Sequence, residues 1–251
     1  MKRTDWRGVA SWYGKRVEEW GSYYHETVIK PGILRLLDPK RGDLVLDVAC
    51  GTGWLAREIG KEVGYVGVDG AKQLIDLAKS KDKNQEHRFQ VTDVRQEIPG
   101  VVDGSVDRAA MVLALQNVDD GARVIENIAR KLKQGGRLVL VLNHPCFRIP
   151  RMSSWGIDEG KKMEYRRIDR YMSPAEIPIN SNPGRGKSGA ISWSYHQPLS
   201  IYFSWLNKNG MVITMVEEWV SPKKSQGKAA KMEDRARNEF PLFLAIVAEK
   251  R

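Results

Sequence analysis

The chain has only two cysteines, Cys50 and Cys146, in 251 residues. That excludes a disulfide-stapled scaffold and a cysteine-rich zinc site. Its four histidines, His25, His87, His144 and His196, fall at no metal-ligand spacing, so no resident metal is expected. No apolar run approaches the roughly 18 residues that a membrane span needs. The first residues, Met1-Lys2-Arg3-Thr4-Asp5-Trp6, lack the apolar stretch of a secretory signal. No block of five like charges occurs, so there is no polybasic tail. These absences make a soluble cytoplasmic protein the expectation, with no membrane partner.

Hydrophobic residues are 41% of the chain, enough for a core. The formal charge is +10, and it is uneven. Residues 1–42 carry net +4, residues 43–143 net −1, residues 144–197 net +4 and residues 198–251 net +3. A neutral middle is flanked by basic segments. Such an excess fits an anionic partner, either nucleic acid or a phosphorylated or carboxylated small molecule; a solubilising surface explains it equally well.

Residues 43–143 alternate short β-rich apolar runs with helical patterns. Strands are predicted at 43–48, 65–69, 87–91, 108–113 and 138–142, and helices at 54–59, 71–79 and 121–133. The pair Gly135-Gly136 is expected to stop the last of these. The alternation implies a doubly wound, mostly parallel α/β sheet. Residues 144–197 carry no sustained period and are rich in Pro, Gly, Ser and Arg, which predicts an irregular functional insertion. A helix over 199–206, a strand over 211–216, a polar loop with a short helix over 221–238 and a strand over 242–248 follow.

The chemistry concentrates at Asp47-Val48-Ala49-Cys50-Gly51-Thr52-Gly53. An acid closes a buried strand, and a Gly-x-Gly turn lets backbone approach a ligand. A second acid, Asp69, ends the second strand, where a carboxylate can accept both hydroxyls of an adenosine ribose. Asp93 follows the third strand.

Together these stretches resemble the class I S-adenosylmethionine-dependent methyltransferases. "VLDVACGTG" is similar to their first motif, with Ala49 in place of the commoner glycine. "GYVGVDGAKQLIDLAK", "QVTDV" and "LKQGGRLVLV" resemble three further segments. The resemblance implies a Rossmann-like seven-stranded sheet of order 3-2-1-4-5-7-6, with the last strand antiparallel, and S-adenosyl-L-methionine as cofactor. It implies that Asp47 meets the methionine amine and that Ala49, Gly51 and Gly53 line the methionine and ribose. Asp69, followed by Gly70, would bind the ribose. Asp93 and the Val94 amide would read adenine, and Leu113 would flank the methionine.

In-line methyl transfer from a sulfonium needs alignment and exclusion of water more than it needs a particular side chain, so the acceptor must be read from the flanks. Residues 1–42 form the expected aromatic-rich helical lid, with Tyr13 against the cofactor and Tyr24 and His25 toward the acceptor. The remainder, residues 43–251, forms the methyltransferase domain with a substrate-side insertion at 144–197. His144, directly after the fifth strand, is the candidate general base. Arg148, Arg151, Tyr195 and His196 are candidate acceptor contacts, because guanidinium forks suit carboxylate or phosphate. The reading favoured is methyl transfer to O or N of a small, anionic molecule. The alternative is a nucleic-acid methyltransferase, although no Asn/Asp-Pro-Pro-Tyr/Phe motif follows the fourth strand. The oligomeric state is not legible.

Overall fold

The structure, a computed structural model, describes residues 22–180 and 191–251. Five strands come first: β1 (Leu44–Val48), β2 (Gly64–Asp69), β3 (Arg88–Val91), β4 (Val106–Val112) and β5 (Leu132–Asn143). Two hairpins follow, β6 (Ser153–Asp158) with β7 (Met163–Ile168) and β8 (Ala175–Asn180) with β9 (Ile191–His196). β10 (Met211–Trp219) and β11 (Phe243–Lys250) complete a seven-stranded sheet of order β10-β11-β5-β4-β1-β2-β3. β11 runs antiparallel to both neighbours, and the other pairings are parallel. Counted along the sheet's own strands, this is the expected order 3-2-1-4-5-7-6.

The strands are apolar on both faces because helices cover both faces. α1 (Lys30–Leu37) and α2 (Lys72–Lys81) lie on one side, where Ile33, Leu37 and Ile75 pack with Val45, Tyr65 and Val139. α3 (Gly121–Lys131) and α4 (Leu199–Lys208) lie on the other, where Ile125, Ile128 and Leu206 pack with Leu46, Met111 and Leu140. α5 (Ala230–Glu239) precedes β11. The chain order reverses between β1 and β4, and a ligand crevice belongs outside the carboxyl ends of strands at such a point.

Three expectations need correction. Residues 54–59 were expected to form a helix, but only a 3₁₀ turn, Leu55–Arg57, forms. The Arg57 guanidinium donates to the carbonyls of Thr52 (2.8 Å) and Gly53 (3.0 Å), the acceptors that a starting α-helix would use. The site therefore lacks the helix N-terminus that the sequence predicted behind its glycine turn. Second, α3 stops at Lys131, four residues before Gly135. The glycine pair lies inside β5, where Gly135 has φ +74° and the pairing with β4 shifts register between Val106 and Arg108. Third, the insertion is two hairpins. Each strand of β6–β7 buries only part of one face, so its alternation is diluted by arginine, glycine and serine.

Ahead of α1 the chain winds through Ser22–Tyr24 and a π-helical turn, His25–Ile29. Pro31 explains the widened turn. It lacks an amide hydrogen, and its ring crowds the carbonyl four residues earlier. The rest of the expected lid, Tyr13 included, lies outside the described residues.

Candidate active site

The loop after β1 is built from left-handed residues. Ala49 (φ +60°), Gly51 (φ +55°) and Gly53 (φ +66°) take that conformation, and Gly53 N–H closes the turn on the Cys50 carbonyl at 3.0 Å. For an L-residue such a φ costs on the order of 1–2 kcal/mol, so Ala49 holds strain where the resemblance would put glycine. The two glycines do different work. A Cβ on Gly53 would lie 2.8 Å from Phe89 and 2.9 Å from Ala78, whereas one on Gly51 would meet nothing within 4 Å. Gly53 is demanded by packing, and Gly51 borders open space.

Two carboxylates sit beneath this loop at the ends of β1 and β2. Asp47 is 3% exposed, and its Oδ2 accepts a 2.6 Å hydrogen bond from the Tyr65 hydroxyl. Loss of hydration raises its pKa to about 7; the Tyr65 bond opposes that shift and nearby Asp69 adds to it. Asp69 accepts from the Gly51 amide (3.0 Å) through Oδ2 and from the Ala71 amide (2.8 Å) through Oδ1. Burial raises its pKa, and the two amides partly counter it. Each Asp69 oxygen keeps a second lone pair, the equipment needed to accept two neighbouring hydroxyls. Gly70 follows with little above it, as its would-be Cβ meets only the Thr92 carbonyl at 3.9 Å.

Asp93 is engaged. Its oxygens accept from Arg95 Nε (2.9 Å) and Nη2 (2.6 Å), and Arg95 Nη1 reaches Asp119 at 2.7 Å. An adenine edge read there would meet a carboxylate already oriented by a guanidinium. Val94 beside it is 8% exposed. Leu113, just past β4, has φ +53° and donates its amide to the Val141 carbonyl at 2.8 Å. A strained leucine at a crevice is the kind of outlier that accompanies function. Gln116 then clamps the neighbouring strand end, donating to the Asn143 carbonyl and accepting from its amide, both at 2.8 Å.

His144 does not stand free. It is 1% exposed; Nε2 meets Glu218 Oε1 at 2.7 Å, and Nδ1 accepts the Cys146 amide at 3.2 Å. With Nδ1 an acceptor and Nε2 a donor, neither nitrogen is available to an acceptor molecule in this arrangement, contrary to the expected base role. Burial lowers its pKa, which Glu218 only partly offsets. What His144 does is hold a turn, since its carbonyl accepts the amides of Phe147 and Arg148.

The N-terminal flank meets the same edge. Tyr24 Oη lies 3.0 Å from Ser221 Oγ, and its ring packs edge-on against Phe243. His25 stacks edge-on with Trp54 at 4.5 Å, and burial lowers its pKa. Tyr195 and His196 end β9, both buried; His196 Nε2 lies 2.7 Å from the Tyr171 carbonyl. Arg151 is exposed, at φ +60°. Sequence reasoning missed Tyr65, Arg95, Glu218 and Lys223. The inward register of β2 could have pointed to Tyr65, and Arg95 lies two residues from Asp93; the Arg95 bond to Asp119 and the contacts of Glu218 and Lys223 arise only in tertiary structure.

A doubly wound sheet in this order, with acids ending β1 and β2 around a left-handed glycine loop, defines the class: this is a Rossmann-like fold of the S-adenosylmethionine-dependent methyltransferase kind. Residues 46–140 match the methyltransferase domain family, and the chain carries a class I S-adenosylmethionine-dependent methyltransferase domain. It is 38% identical over 104 residues to a ubiquinone/menaquinone biosynthesis C-methyltransferase of Geobacter sp. (strain M21), covering 39% of this chain and 44% of that protein. It is 27% identical over 179 residues to a 2-phytyl-1,4-naphtoquinone methyltransferase of Nostoc sp. (strain PCC 7120), covering 64% of this chain and 76% of that one. The chain spans about half the length of the first curated relatives it matches. In fold it is similar to an S-adenosylmethionine-dependent methyltransferase from Mesorhizobium loti, with a TM-score of 0.69 and 24% identity over 88% of this chain and 96% of that one. No helix among the described residues is long and apolar enough to cross a membrane.

Proposed function

We propose that the chain transfers the sulfonium methyl group of S-adenosylmethionine to an O or N atom of a small molecule lying over the carboxyl ends of β4 and β5. The observation that carries this reading is the pair of strand-end carboxylates, buried Asp47 and half-buried Asp69, under a loop whose Gly51 borders open space. Asp47 would receive the methionine ammonium. Asp69 would accept the ribose hydroxyls while it still holds the loop through Gly51. Val94 and Asp93 would face the adenine, and Leu113 the methionine chain. The cofactor supplies an activated methyl carbon; the protein's task is to align the acceptor with it and exclude water. Tyr24, His25, Arg148, Arg151, Tyr195 and His196 would form the acceptor side, with residues 1–42 and 144–197 as its lid. Carbon is the second reading for the attacked atom, because two of the relatives are quinone-methylating enzymes, one a C-methyltransferase by name. Those relatives also leave a nucleic-acid acceptor with less support.

Calorimetric titration with S-adenosylmethionine tests the cofactor half. Asp69→Ala should weaken binding at least tenfold, and unchanged affinity would overturn the assignment. Transfer of labelled methyl from S-adenosylmethionine into a metabolite extract tests the acceptor half. Label found only in an RNA fraction would refute a small-molecule acceptor.

A further inference from the structure

Several arginines of this fold are matched by acids. Arg35 forks onto Glu217, Arg95 bridges Asp93 and Asp119, and Arg137 meets Glu249. Around the end of β5 the pattern fails. Arg148 makes no side-chain hydrogen bond or ion pair among the described residues. Arg166 is tied down, but by neutral oxygens: Nε donates to the Phe147 carbonyl (2.8 Å) and Nη2 to Ser153 Oγ (2.7 Å), with the guanidinium 5.0 Å over the Trp155 ring. Lys223 Nζ stands 4.9 Å from the centres of both Tyr23 and Tyr24 and has no acidic partner among the described residues. Arg148 and Arg166 thus stand within reach of each other with no carboxylate bonded to either among the described residues.

Of the two arginines, Arg148 is the more exposed. It is solvent-accessible, yet crowding by protein lowers its pKa, and it lies within electrostatic reach of Tyr24 and of Arg166. The side chain thus leaves the loop that follows β5, at the carboxyl end of the sheet, where a ligand crevice belongs. Its backbone is fixed, since its amide donates to the carbonyl of buried His144 at 2.8 Å. Phe147 beside it packs against His144 and Phe240, so the wall behind the charge is flat and apolar. Neighbouring cations raise each other's energy unless an anion joins them. Such a fork also holds an oxyanion through two parallel hydrogen bonds.

We propose that Arg148, backed by Arg166, binds the anionic oxygen of the methyl acceptor, and that this acceptor is a small aromatic molecule bearing a carboxylate or phosphate. The assignment rests on the methyltransferase reading above, because it takes the end of β5 as the acceptor side. Arg148 thereby fixes which acceptors are admitted, while the cofactor loop is indifferent to it.

The test uses the full chain saturated with S-adenosylhomocysteine and three probes of one shape: 2-naphthoate, 2-naphthyl phosphate and the neutral 2-naphthamide. Calorimetry should show at least one anion binding tenfold or more tighter than the amide, and which anion does so separates carboxylate from phosphate. Arg148→Met and Arg148→Gln should erase that preference and leave S-adenosylhomocysteine affinity unchanged. Arg123→Met, on the distant α3, should alter neither. Equal binding of all three probes, or an anion preference that survives both Arg148 variants while S-adenosylhomocysteine still binds, overturns the proposal. Failure of the wild-type chain to bind S-adenosylhomocysteine instead overturns the methyltransferase reading beneath it.

Discussion

The Asp47→Asn substitution should remove a pH dependence from the stability of this protein and make it more stable at neutral pH. The Asp47 pKa is raised from 3.8 to about 7, chiefly by burial. A raised carboxyl pKa means that the folded state keeps a proton that the unfolded chain has released. Stability is therefore lost as pH rises between those values and levels off above about 7. Integrating with 1.36 kcal/mol per unit, the raised pKa costs about 1.7 kcal/mol of stability at pH 5 and about 4 kcal/mol at pH 7.5. Asp47→Asn abolishes the titration and keeps an acceptor for the Tyr65 hydroxyl. The variant's stability relative to wild type should thus rise by about 2.5 kcal/mol between pH 5 and 7.5, equivalent to roughly 5–10 °C in melting temperature for a chain of this size. Urea denaturation of both proteins at the two pH values reads this directly. A difference that stays constant within about 0.5 kcal/mol would refute the reasoning. The same substitution should weaken S-adenosylmethionine binding, since it deletes the carboxylate that would meet the ammonium. A charge that destabilises the fold and would be matched by the cofactor's ammonium makes a stability–activity trade-off in one residue.

Gly53→Ala combines a left-handed φ with contacts of 2.8 and 2.9 Å to Phe89 and Ala78. It should cost about 2–4 kcal/mol in chemical denaturation, and a loss under about 0.5 kcal/mol would contradict the packing argument. His144→Gln should destabilise by about 1–3 kcal/mol, through the lost bonds to Glu218 and the Cys146 amide. Because burial lowers the folded-state pKa of His144, wild type loses stability relative to this variant as pH falls below about 6.5, so the gap should narrow there. A gap that widens instead would mean the imidazole is charged in the folded protein.

The parts of the fold that could be read in advance are those whose residues face one constant environment. β1, β2 and the end of β5 are buried on both sides and show as short apolar runs. Their order in the sheet came through family resemblance, since no local pattern encodes which strands pair. The 3₁₀ turn at Leu55–Arg57 was misread because the agent that prevents a helix, the Arg57 side chain, lies inside the segment and resembles any helix-forming arginine. The hairpins of the insertion escaped because two-stranded ribbons leave one face wet. At the site, the acids Asp47 and Asp69 were legible from their places at strand ends. The pairing state of the arginines was not: Asp119 lies 24 residues from Arg95, and Glu218 lies 74 from His144. Only the assembled structure distinguishes Arg148, unmatched among the described residues, from Arg95, doubly matched.

α1 is fastened to the far end of the chain. A Cβ on Gly32 would lie 2.4 Å from Trp219, whose indole donates to Glu217 at 2.8 Å, and Glu217 in turn receives both prongs of Arg35. On the ribosome this helix emerges early, and although β1, β2 and β5 offer it an apolar face, Glu217 and Trp219, which fasten it, are translated about 180 positions later. Its fastening must wait while β1 to β5 are already made. The order of synthesis thus makes the last two strands the step that locks α1 in place, and a chain stalled before Trp219 would carry a finished glycine loop beside an unfastened helix.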